Sequence, residues 1–78
     1  MVVHLIRYED KYLVSVNGNA TSYATIELAA DWILANTKID TDTIDDALVY
    51  MFTDGLNAAE FNSEGKLVHI GNANVEIL

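Results

Sequence analysis

The sequence contains no cysteine and no proline, and only four of its 78 residues are Lys or Arg. Without cysteine there is no disulfide staple and no thiolate metal site, which fits a reducing compartment. The four bases, Arg7, Lys11, Lys38 and Lys66, are dispersed and too few for a nucleic-acid footprint. Direct binding to DNA or RNA is therefore disfavoured by composition. No apolar run approaches the roughly 18 residues that would span a bilayer. The start, Met1-Val2-Val3-His4-Leu5-Ile6-Arg7, lacks a basic region followed by a long apolar one, so a signal peptide is not expected. The expected location is cytoplasmic, with no membrane partner. Gly18, Gly55, Gly65 and Gly71 are scattered turn residues and form no phosphate-binding loop. There is no internal repeat and no low-complexity segment.

What remains is acid and core. Twelve Asp and Glu against four bases leave a formal net charge of −8. This field opposes nucleic acid and anionic lipid and favours a basic partner. An apolar fraction of 51% and a charged fraction of 21% describe a folded domain, not a disordered tail. The length allows one domain, residues 1–78.

Val2–Tyr8 reads as a strand, with Val3, Leu5 and Arg7 on one face and Val2, His4, Ile6 and Tyr8 on the other. Glu9-Asp10-Lys11 reads as a hairpin connection. Tyr12–Val16 alternates as a second strand. Asn17-Gly18 is a strong hairpin signal, because the turn needs positive φ at both positions. A third strand is expected over Asn19–Tyr23. Thr25 can cap a helix running from Ile26 to about Asn36, with Ile26, Ala29, Ala30, Ile33 and Leu34 on one face. Glu27 and Asp31 share its polar side.

The acidic run Asp40-Thr41-Asp42-Thr43-Ile44-Asp45-Asp46 follows. Asp42 or Thr43 can cap a second helix over Thr43–Thr53, with Ile44, Ala47, Leu48 and Met51 at helical spacing and Phe52 extending that face. Gly55 supplies its stop. The competing reading is a strand, Leu48–Thr53, which is rich in strand formers. Ala58–Asn62 and Leu67–Ile70 read as strands around the turn Ser63-Glu64-Gly65-Lys66, and Val75–Leu78 as a closing edge strand. The expected architecture is α+β: an antiparallel sheet in βββ-αα-βββ order, with two helices packed on one face.

The usual chemical constellations fail. Counted from Asp40, a calcium loop would need an oxygen ligand at its fifth position, Gly at its sixth and Glu at its twelfth. Here Ile44, Asp45 and Met51 stand there. The paired Asp residues flank polar Thr, where both stay ionised, which does not suit acid–base work. His4 and His69 lie on strands far apart in sequence and could pair across a sheet. Ser15, Ser22 and Ser63 have no His or glycine-elbow context. No catalytic residue, cofactor or metal is expected.

Between Lys38 and Lys66 there is no base, and seven carboxylates occupy the interval: Asp40, Asp42, Asp45, Asp46, Asp54, Glu60 and Glu64. Duplex DNA carries one negative charge per roughly 1.7 Å of axis. Carboxylates on an outward ridge imitate part of that row. Asp40, Asp42, Asp45 and Asp46 are expected to form one end of such a ridge, with Glu27, Asp31, Asp54 and Glu60 extending it.

In size, acidity and lack of catalytic residues the chain resembles small phage-encoded inhibitors of host defence, the anti-CRISPR and anti-restriction proteins that mimic nucleic acid. The likeness is one of general character, carried by the Asp40–Asp46 run and the base-free interval, not by a motif. It implies a stoichiometric, non-catalytic blocker acting in the host cytoplasm, whose partner is a basic host protein or complex that binds nucleic acid. The alternative is a small interaction or accessory domain, such as a homodimer, whose acids serve solubility.

Overall fold

The computed structural model describes residues 1–73, so the expected closing strand at Val75–Leu78 lies outside the described residues. Within them the chain runs β1 (Val3–Tyr8), β2 (Lys11–Val16), β3 (Asn19–Tyr23), α1 (Ile26–Asn36), α2 (Thr41–Asp54), β4 (Ala58–Phe61) and β5 (Leu67–Gly71). The five strands form one antiparallel sheet in the order β3-β2-β1-β4-β5. The α+β class expected from the sequence is the observed one.

Two tight turns build the opening meander. Glu9 and Asp10 join β1 to β2, with Glu9 at φ 55°. Asn17 and Gly18 join β2 to β3 with φ of 52° and 87°, the twist that a two-residue hairpin requires. The Asn17 amide donates to the Val2 carbonyl at 3.2 Å, which ties this turn to the start of β1.

The register decides which side chains enter the core. Val3 stands between Val16 and Phe61, and Leu5 between Val14 and Ala59. Val3, Leu5, Val14, Ala59 and Phe61 are all buried, on the face that meets the helices. Ala29 and Ile33 of α1 and Ile44, Ala47 and Met51 of α2 close the same cluster. Helix α1 lies over β2 and β3, and α2 over β4 and β5. Ile39, in the short link between the helices, is also buried. It is the one apolar residue within the polar run from Asn36 to Thr43, and only its tertiary position makes it core.

Residues 48–53 are helical, so the strand reading of that stretch is not the one adopted. The caps explain the outcome. Asp40 accepts the Thr43 amide at 2.8 Å at one end, and Gly55 takes the left-handed conformation at the other. The cap is therefore Asp40, two or three residues before Asp42 or Thr43, where the sequence reading placed it. Asp42 falls in the first turn, near the positive end of the helix dipole. The strand formers Val49, Tyr50 and Phe52 are carried along as exposed residues. Two caps and the buried stripe of Ile44, Ala47 and Met51 outweigh their propensity.

Candidate functional site: an anionic helical face

The helices contain no Lys or Arg. Every base outside them sits on a strand or in a connection: Arg7 on β1, Lys11 on β2, Lys38 between the helices and Lys66 in the β4–β5 turn. Against this, Glu27 and Asp31 are exposed on α1, and Asp42, Asp45, Asp46 and Asp54 are exposed on α2, with Asp40 exposed at its cap. The helices thus carry seven exposed carboxylates, counting the Asp40 cap, and no Lys or Arg of their own.

The spacing on α2 can be compared with a nucleic-acid strand. Its 14 residues extend ~21 Å at 1.5 Å per residue. Asp40, Asp42, Asp45 and Asp46 put four carboxylates on ~9 Å of that axis and Asp54 follows ~12 Å further on, against one phosphate per 3.4 Å on a single DNA strand. Asp42, Asp45 and Asp46 stand at i, i+3 and i+4 and therefore share one face. The Asp40 carboxyl is held below its ordinary range, first by the Thr43 hydroxyl, which donates at 2.7 Å, and then by the Thr43 amide.

The row is not continuous. Between Asp46 and Asp54 the outward positions carry no charge: Val49 is 61% exposed, Tyr50 55% and Phe52 53%, and Thr53 is exposed beside them. Val49, Tyr50 and Phe52 fall off the buried stripe of Ile44, Ala47 and Met51, and that displacement was the signal in the sequence that they would face solvent. Phe52 was read as part of the core face and is not. Its ring instead carries the Arg7 guanidinium, 4.5 Å from the centroid. Arg7 thereby brings a positive charge to the last turn of α2, which has no base of its own.

Glu60 does not join this face. On β4 it alternates with the buried Ala59 and Phe61, so it projects from the opposite side of the sheet. There it stands in register with His4 of β1 and His69 of β5. Its Oε1 lies 3.0 Å from His4 Nε2, and both side chains are nearly two-fifths exposed. The two histidines therefore flank a carboxylate and do not pair with each other. Among the described residues no three His, Asp or Glu side chains converge where they could hold a metal ion. No helix of the described residues is long and apolar enough to cross a membrane.

Comparison with family models, with curated proteins and with solved structures gave no match.

Proposed function

We propose that this chain is a stoichiometric inhibitor whose helical face occupies the basic, nucleic-acid-binding surface of another protein. The observation that carries the reading is the anionic helical layer: seven carboxylates on two helices and a cap, with no base among them. A basic channel attracts such a face at long range and in the right orientation. Val49, Tyr50 and Phe52 add an apolar contact beside the charges, so the complex holds after charge attraction has formed it. The protein acts by occupancy, without turnover and without a cofactor.

The test is a pull-down with the tagged protein from nuclease-treated host lysate, eluted by a salt gradient. The reading expects a nucleic-acid-binding protein that leaves the resin as salt rises and is displaced by added duplex DNA or RNA. Recovery only of partners indifferent to both salt and nucleic acid would move the assignment to the second reading. That reading is an ordinary protein-interaction domain centred on the exposed Val49, Tyr50 and Phe52, with the acids serving solubility.

A further inference from the structure

A cavity of about 290 Å³ opens to solvent at the β3 edge of the sheet. The register explains it. Thr21 stands opposite the buried Val14, and Asn19 opposite Val16, so both lie on the side of the sheet that meets the helices. Tyr23 follows on the same side of β3. At these positions β3 supplies polar groups, where β1 and β4 supply Val3, Leu5, Ala59 and Phe61. Val14 and Val16 are the apolar part of the lining on β2, and α1 contributes to it only Trp32. The cavity lies at the edge opposite β5, the strand that residues 74–78 follow.

The lining selects by charge first. It holds no charged side chain. Glu27 and Asp31 stand roughly 140° and 100° around α1 from Trp32, on another side of the helix. An anion would approach a chain of formal charge −8 with no base to meet it, and a cation would find no carboxylate. A neutral molecule fits. Hydrogen bonding selects next. Among the described residues the side chains of Asn19, Thr21 and Tyr23 and the indole N–H of Trp32 take part in no hydrogen bond. Asn17 is engaged, its Oδ1 accepting the Val2 amide at 3.4 Å. None of the unpaired groups is sealed from solvent. A wholly apolar occupant would strip water from them and return no bond, which costs affinity. A ring with C–H faces and a hydroxyl rim meets both needs: its faces lie on aromatic side chains, and its hydroxyls bond the amide, hydroxyl and indole groups.

We infer that this cavity binds a neutral saccharide ring, held against Trp32 and Tyr23 and hydrogen-bonded by Asn19 and Thr21. Its volume is at the lower end of the roughly 300–1,000 Å³ of ligand pockets, so it takes one ring. A ring of about a dozen heavy atoms, at the efficiency of ordinary ligands, binds in the millimolar range. The inference is independent of the inhibitor reading, because the cavity shares no residue with the acidic face.

Trp32 is the only tryptophan in the chain, so its fluorescence reads the cavity directly. The full chain is titrated with glucose, galactose, mannose and N-acetylglucosamine. At least one is expected to give a saturable change with a dissociation constant on the order of 1–10 mM, and amide shifts in ¹⁵N spectra confined to the lining residues. Thr21→Val removes the hydroxyl at an exposed strand position. It is expected to weaken binding about fivefold while circular dichroism and the emission maximum stay unchanged. Trp32→Phe, followed by the amide shifts, is expected to weaken it as well. No saturable change up to about 100 mM of any of the four sugars overturns the inference. So does binding of adenosine or indole tighter than every sugar, or saccharide binding that both variants leave intact.

Discussion

Gly65 presses its backbone against the carbonyl of Lys38. A Cβ placed on Gly65 would lie 2.5 Å from the Lys38 oxygen, and Gly65 is buried at φ 85°. The contact joins the β4–β5 turn to the link between the helices, two segments 27 residues apart. Asn62 shapes the turn that makes it: its side-chain oxygen accepts the amides of Glu64 and Lys66, each at 3.0 Å.

Gly65→Ala is therefore expected to destabilise the protein by more than ~2 kcal/mol, since the left-handed conformation and the collision with backbone add. Gly65→Asn, which eases only the first problem, is expected to be rescued little. Gly18 is the control. It has φ 87° but nothing within 4 Å of its added Cβ, so Gly18→Ala should cost only about 1 kcal/mol. Urea denaturation of the three variants checks the order. Equal losses at positions 18 and 65 would remove the close approach as the cause.

Asp40 links α2 to pH. Its carboxyl is lowered from 3.8 by the Thr43 hydroxyl and amide. A carboxyl that is lower folded than unfolded stabilises the folded state above the unfolded value, and the contribution disappears as pH falls through the folded one. Asp40→Ala is expected to lower the melting temperature at pH 7. Asp40→Asn, which still accepts from the amide, should lose less and should flatten the decline in stability below about pH 4. Thermal melts across pH 2 to 7 measure both.

The two sides of the sheet should separate functionally. Asp42→Asn, Asp45→Asn and Asp46→Asn together are expected to weaken binding to a basic partner by about ten- to a hundredfold at low salt, and to reduce its salt dependence. Glu60→Gln should leave that binding within about twofold, because Glu60 projects from the other side beside His4. Titrations at two ionic strengths decide it. A Glu60→Gln loss matching that of the triple variant would contradict the assignment of the helical face.

Arg7 and Phe52 should be coupled. A guanidinium over an exposed ring is worth about 0.5–1 kcal/mol. A double-mutant cycle with Arg7→Met and Phe52→Leu is expected to return a coupling of that size. A coupling near zero would show that the stacking contributes nothing to stability.

The element types were legible because they depend on neighbours in sequence. Alternation marked β1 and β2, Asn17-Gly18 marked their continuation, and Thr25 and the spacing of Ala29 and Ile33 marked α1 from its first residue to its last. The strand formers of 48–53 were ambiguous for the same reason: short runs carry both periods, and the caps outside them decide. The Asp40 cap was missed because Asp42 and Thr43 also satisfy the cap preference.

By itself the sequence determined the charge, the absence of bases from the helices, and the parity of each strand. Parity alone separates Glu60 from Ala59 and Phe61. It does not say which side faces the helices, nor what stands beside Glu60. That was decided when β4 added next to β1 instead of extending the meander from β3. The pairing set Glu60 between His4 and His69, took it out of the acidic ridge, and gave the open side an apolar centre at Leu13, Ile6 and Ala58. Strand order is a long-range choice, made by the burial of Val3, Leu5 and Phe61 together, and no local pattern encodes it.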